Sequence, residues 1–195
     1  MIVSSEDVGR VCYVEMTPKS ALFGSGGFNH KTVALFEKRL KGTSTIALFT
    51  PSLEYPSPFC DQRSLVAIGA ESEVVLCSMR PINELYKIKR PSICKEQSLP
   101  SLDWGFGLTP TMQEKVVPIL AVAQDCLIQL VYIDEESNKI VMDGFYLSEK
   151  EINSCYFVAD SVLVIITNTK QVKVLYTKKF HDGDYTRLDV DKSPD

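Results

Sequence analysis

Four stretches of this chain share one pattern: an apolar run, a short polar break, and a second apolar run. They are IVSSEDVGRVCYVEM at 2–16, SLVAIGAESEVVLCSM at 64–79, PILAVAQDCLIQLVY at 118–132 and SVLVIITNTKQVKVLYTKK at 161–179. In three of them the second run alternates with period two, as in Val11, Tyr13 and Glu15 on one face against Cys12, Val14 and Met16 on the other, and Val172, Val174 and Tyr176 against Gln171, Lys173 and Leu175. Successive side chains point to opposite faces only in a strand, so each stretch reads as a β-hairpin. Glu6-Asp7-Val8-Gly9, Ala70-Glu71-Ser72 and Thr167-Asn168-Thr169-Lys170 supply the turns. An isolated hairpin is at best marginally stable in water, so each unit needs neighbours to cover its apolar side chains.

Val11, Val74, Ile128 and Val172 hold equivalent places, spaced by 63, 54 and 44 residues (74−11, 128−74 and 172−128). A propeller blade takes roughly 40–50 residues. The last interval fits directly. The longer ones are accommodated by loops at 50–63 (TPSLEYPSPFCDQR) and 107–118 (GLTPTMQEKVVP). Further strand-like runs flank the hairpins at 44–50, 82–89, 101–107, 139–147, 152–158 and 185–190. Strand, hairpin and strand make a four-stranded antiparallel blade. A helical solenoid would need long runs at period 3.6. The one weak candidate is NHKTVALFEKRLKG at 29–42, which reads equally well as a strand. The expectation is therefore an all-β chain, a partial WD40-like β-propeller of about four four-stranded antiparallel blades, two complete and two partial. Helix should occupy under about a tenth of it. The blade-like units run over approximately 1–43, 44–97, 98–150 and 151–195. Trp104, the single tryptophan, should be buried between neighbouring blades.

Charge and composition narrow the functional classes. A net charge of −4 disfavours nucleic acid and anionic membrane as partners of the whole domain. The opening MIVSSEDVGR lacks the basic and apolar regions of a signal peptide. The longest apolar run, VLVIIT at 162–167, is of strand length. Six cysteines (Cys12, Cys60, Cys77, Cys94, Cys126 and Cys155) include no C-x-x-C pair. They read as reduced thiols of a cytosolic protein, with Cys12, Cys77 and Cys126 inside apolar strand-like runs.

No constellation for catalysis stands out. His30 and His181 are the only histidines, and each reads as a solvated loop residue without a second metal ligand at standard spacing. GSGG at 24–27 lacks the lysine of a phosphate loop. DEE at 134–136 with Asn138 lacks the alternating oxygen ligands of a calcium loop and reads as a hairpin tip. KRLK at 38–41 and KIKR at 87–90 read as charges that protect outer strands from pairing, with contact to an acidic partner or phosphoinositide as the sharper reading. No cofactor, metal or catalytic residue is expected, and the residues single out no binding position.

The usual WD40 signatures are missing: no blade ends in Trp-Asp, and Asp103-Trp104 runs in the reverse order. A closer resemblance exists. SLVAIGAESEVVLCSMRP (64–81), SLPSLDWGFGL (98–108), VVPILAVAQDCLIQLV (116–131) and SVLVIITNTKQVKVL (161–175), with Pro81, Pro100, Trp104 and Pro118, resemble the N-terminal propeller of the vacuolar protein sorting-associated protein 8 family. SSEDVGRVCYVEM (4–16) looks like an earlier hairpin of the same propeller. The resemblance implies a non-enzymatic protein-interaction scaffold of the CORVET endosomal tethering complex, acting in vesicle tethering and fusion and in endosome-to-vacuole or lysosome transport. It implies other tethering-complex subunits and an early-endosomal Rab GTPase as partners. It also implies a cytoplasmic protein, peripheral on early and late endosome membranes only through those partners. Family members resemble a seven-bladed propeller followed by an α-solenoid and a zinc-binding RING. This chain carries neither addition, so it reads as a fragment, partial gene product or short form that is poorly soluble or oligomeric alone. Two other classes stay open: a WD40-like scaffold of another coat or transport complex, and a propeller enzyme.

Overall fold

Fourteen β-strands and no α-helix make up the described part of a computed structural model of the protein, which covers residues 2–5, 11–18, 28–36, 45–51, 64–79, 82–108, 116–134 and 137–177. The strands form four antiparallel sheets in which sequence neighbours are also neighbours in space. The first sheet holds β1 (Ile2–Ser5), β2 (Val11–Pro18) and β3 (Phe28–Phe36). The second holds β4 (Thr45–Phe49), β5 (Leu65–Gly69), β6 (Glu73–Met79) and β7 (Ile82–Lys89). The third holds β8 (Ser101–Leu108), β9 (Val116–Gln124), β10 (Leu127–Asp134) and β11 (Lys139–Leu147). The fourth holds β12 (Ile152–Ala159), β13 (Val162–Thr167) and β14 (Val172–Tyr176). The chain divides into two compact units, Met1–Ser44 and Thr45–Asp195.

The register bears out the repeat. Val11 pairs with Ser5, Val74 with Gly69, Ile128 with Ala123 and Val172 with Ile166, each near the turn of its hairpin. Pairing with the following strand slips by one residue in three sheets, at Val11/Cys12, Leu76/Cys77 and Leu130/Val131. Such bulges increase local twist and bend the outer strand.

Several expectations are corrected. Of the segment read as either helix or strand at 29–42, the described residues, up to Phe36, belong to β3, with β-branched Thr32 and Val33 at the centre of its ladder to β2, and 37–42 lie outside the described residues. His30 pairs with Met16 inside that ladder and is not a loop residue. Cys126 sits in the two-residue turn between β9 and β10, not in the strand, because Asp125 takes the left-handed φ of 54° that reverses the chain there. β8 runs on to Leu108 and β9 starts at Val116, both inside the loop expected over 107–118. The turn at 6–9, the strand expected at 185–190, His181, GSGG at 24–27 and KRLK at 38–41 lie outside the described residues, as does most of the 50–63 loop.

Proline inside β9, a central strand, looks anomalous because it cannot donate to a ladder. Pro118 is opposite Phe106, whose carbonyl accepts the Ser161 N–H (2.8 Å) and so points away from β9. The two are therefore a non-hydrogen-bonded pair, and the proline nitrogen faces β10 beyond Leu120–Val131, the last β9–β10 pair on that side.

Burial separates the sheets of the second unit. β5 and β10 are buried along almost their whole length, on both faces. β13 alternates between half-buried and buried. A strand buried on both faces reads as a continuous apolar run, and one buried on a single face alternates. Two apolar seams result. Ala47, Ala67, Val74 and Leu76 of the second sheet meet Leu120, Val122 and Val131 of the third. Ile119, Ala121, Ala123, Ile128 and Leu130 of the third meet Cys155, Leu163, Ile165 and Leu175 of the fourth.

Candidate functional site

β8 packs against β4 on one side and β12 on the other, so these three are the inner strands and the sheets fan outward from them. Each is the edge of its own sheet, and an unpaired edge is a liability. Here the neighbouring sheets occupy these edges through side chains. The Thr45 hydroxyl donates to the Pro100 carbonyl (2.6 Å), and the Trp104 indole N–H to the Ala47 carbonyl (3.3 Å). Across the next seam the Cys155 N–H donates to the Ser101 hydroxyl (3.1 Å), and the Phe157 N–H to the Asp103 carboxylate (2.7 Å). The last of these is charge-assisted and short, the stronger kind.

Close approach at the seams depends on missing Cβ atoms. A Cβ on Gly105 would lie 2.2–2.5 Å from the Phe157 ring. One on Gly69 would lie 2.5 Å from Pro100 Cγ and 2.6 Å from Thr45 Oγ1. Trp104 fills the first seam with Phe49, ring centroids 5.7 Å apart, and packs against two apolar clusters. It sits between sheets as expected but is half-buried rather than fully buried. Further out, the Tyr86 hydroxyl donates to the Asn138 carbonyl (2.7 Å), tying the second sheet to the third.

The turns between second and third strands and the connectors between sheets meet at one end. Gln124 Nε2 donates to the carbonyls of Glu71 and Ser98. The Asp125 N–H donates to the Ser98 hydroxyl (3.0 Å), and the Asp125 carbonyl accepts the Ile152 N–H (2.7 Å). The buried Asp125 carboxylate accepts the Lys95 N–H (3.2 Å) and faces Lys95 Nζ at 3.3 Å. Lys95 Nζ also reaches Glu151 (3.2 Å), whose carbonyl accepts the Asn168 N–H (2.8 Å). Hydrogen bonds to Glu151 and Asp125 hold the Lys95 ammonium above its usual range. The connector Pro91–Pro100 and the tips of three sheets are thus locked into one polar node, which charged and backbone partners satisfy as burial demands.

The residues singled out for chemistry fall in separate places. Asp134 accepts the Ser137 N–H and hydroxyl at the β10–β11 tip, as a hairpin reading of that segment requires. Lys87 and Lys89 lie exposed on β7, the outer edge of its sheet. Among the described residues no three His, Cys, Asp or Glu side chains gather to hold a metal, and Cys77, Cys94, Cys126 and Cys155 are free thiols. The seam residues Ser101, Gly105 and Asp125 drew no notice in the sequence, and Asp103 only as part of a reversed Trp-Asp, because alternation marks which face a residue occupies and not what lies opposite.

Burial pushes the Cys155 thiol up to about 12 and the Cys77 thiol up to about 11, from 9.0. The folded state therefore keeps the Cys155 proton where the unfolded chain releases it. Its contribution is fully present below pH 9 and lost as pH rises toward 12; the full difference is on the order of 4 kcal/mol. Stability measured by denaturant should fall across that alkaline window. Near neutrality Cys155 should resist alkylation while half-buried Cys126 reacts. Peptide mapping after iodoacetamide checks this, and equal modification of both would contradict the packing.

Sheets that succeed one another from outer strand to inner strand, stacked face to face through their inner strands, are blades of a β-propeller, an architecture that serves as an interaction scaffold. The comparison with known families agrees over nearly the whole chain: residues 1–192 match the Vps8 beta-propeller, and the chain belongs to that family. No curated protein matches it.

Proposed function

We propose that this propeller is a non-enzymatic protein-interaction scaffold within an endosomal tethering complex of the CORVET type. The observation that carries the reading is the family match over residues 1–192. A scaffold role also suits seams and connectors whose polar groups are spent on one another. In this reading its partners are the other tethering-complex subunits and an early-endosomal Rab GTPase. It is cytoplasmic and reaches early and late endosome membranes through those partners. Among the described residues no helix is long and apolar enough to cross a membrane. The working units are the blade-like segments 1–43, 44–97, 98–150 and 151–195, whose limits we place in the connectors between sheets.

The test is affinity purification of the tagged protein from its own cells, combined with its deletion. The expected result is co-enrichment of tethering-complex subunits, delayed delivery of endosomal cargo on deletion, and restoration by the reintroduced gene. Co-enrichment with coat or ciliary-transport subunits instead, with normal endosomal delivery, would overturn the proposal.

A further inference from the structure

The basic run KIKR at 87–90 leads into a serine. Lys89 and Arg90 stand three and two places before Ser92 (92−89 and 92−90), and Ile93 follows it. Lys89 ends β7, and the Arg90 N–H donates to the Ser72 carbonyl (2.9 Å), which carries the strand on to Pro91. A residue before proline is itself held near the extended conformation. Both cations therefore lie on extended chain at the outer edge of the second sheet. Ser92 opens the turn beyond the proline, which one main-chain bond closes, from the Cys94 N–H to the Pro91 carbonyl (3.0 Å).

Ser92 is exposed, and among the described residues its hydroxyl has no hydrogen-bond partner. Ile93 is 63% exposed, whereas its neighbour Cys94 is buried with its thiol on the Gln124 carbonyl. A large aliphatic side chain is thus held in water on a turn whose two ends are fixed, where packing makes no use of it. Two other serines are exposed among the described residues, Ser72 and Ser137. Ser72 follows Glu71, and Ser137 follows Asp134-Glu135-Glu136 and gives its hydroxyl to Asp134. Of the three, only Ser92 follows basic residues.

We propose that Ser92 is a phosphorylation site, modified by a protein kinase that selects basic side chains two and three places before its acceptor and an aliphatic one after it. Kinases choose substrates by charge pattern: carboxylates of the cleft take the cations, and an apolar pocket takes the residue that follows the acceptor. Ser92 Oγ attacks the γ-phosphorus of magnesium-bound ATP. The Oγ–P bond forms as the bond from that phosphorus to the β,γ-bridging oxygen breaks. The electron pair of the broken bond leaves with ADP, and the hydroxyl proton passes to the aspartate base of the kinase. Opening the turn to the kinase gives up the Cys94–Pro91 main-chain bond and the bond from Arg90 Nη1 to the Cys94 carbonyl (2.8 Å). The product places about two negative charges beside Lys89 and Arg90. The Arg90 guanidinium already folds back over this turn, and a phosphate is a stronger acceptor for it than the carbonyl it holds. A basic corner of the outer strand becomes neutral and loses its attraction for an acidic surface. This holds whichever complex the propeller serves.

The test has two arms. The protein is purified from its own cells with phosphatases inhibited, and its phosphopeptides are mapped by tandem mass spectrometry. The same protein, dephosphorylated and natively folded, is then incubated with magnesium ATP and cyclic-AMP-dependent protein kinase, with casein kinase 2, which selects acidic surroundings, as control. Phosphate should be found at Ser92 in both arms, and should enter roughly tenfold faster with the first kinase than with the second. Ser92→Ala should remove it. Lys89→Gln, a change to an exposed side chain, should lower kcat/KM roughly tenfold, and Lys89→Arg should retain it. Absence of phosphate at Ser92 in the protein from its own cells would overturn the proposal. So would incorporation only after denaturation, by showing that the turn does not open to a kinase. An unchanged rate for Lys89→Gln would refute selection by the basic pair.

Discussion

Gly105→Ala is expected to destabilise the second unit by about 3 kcal/mol, at the upper end of what overpacking costs. The added methyl would stand 2.2–2.5 Å from the Phe157 ring carbons. The ring cannot retreat freely. Its own backbone N–H is held by Asp103 at 2.7 Å, and the ring packs against the cluster that includes Cys155 and Leu163. Either β12 shifts and the Asp103 bond is lost, or the ring is forced out of the seam. Phe157→Val makes room for the methyl, so the double variant should be more stable than the sum of the two losses predicts. That coupling is the mark of a direct contact. Denaturant midpoints of the four proteins measure it. A Gly105→Ala variant within about 0.5 kcal/mol of the parent would mean that the two inner strands are further apart than described.

Trp104→Ala should cost about 3 kcal/mol, the lower end for a large aromatic because the side chain is half-buried. The indole joins the second and third sheets in two ways: it packs against Phe49 and the Ala47–Leu76 cluster, and its N–H reaches the Ala47 carbonyl. Trp104→Phe keeps most of the packing and loses the hydrogen bond, so about 1 kcal/mol is expected. As the single tryptophan, Trp104 also reports directly. Its native emission should lie to the blue of that in denaturant. A native maximum equal to the denatured one would place the ring in water and remove it from the seam.

The lysine-bearing strand β14 shows where alternation stops being informative. Val172, Val174 and Tyr176 alternate with Lys173 and Leu175, and the more apolar set would be assigned to the core by its chemistry alone. Leu175 is the one that packs inward, 3% exposed, while Val172 faces out. A period of two separates the faces but does not say which one a neighbour covers. In β5 both faces are covered and the apolar run is unbroken, and in β10, buried likewise, only Gln129 interrupts it before Asp134, so both strands are legible from composition.

The strands, their antiparallel order and the fourfold hairpin were determined by the sequence, because side-chain alternation and turn spacing are local properties that a chain carries with it. β3 lay at the limit of that reading: helix and strand periods are nearly indistinguishable over so short a run, and pairing with β2 decided it. The seams were decided only by tertiary structure. Whether Gly105 is a weak point in a strand or the floor beneath Phe157 depends on a residue 52 positions later (157−105). Whether Asp125 is a polar turn residue or a buried anchor depends on Lys95 arriving from the connector before β8 and Ile152 from the start of β12. Contacts between sheets join residues about one blade apart, and no local rule of periodicity or propensity carries information over that distance.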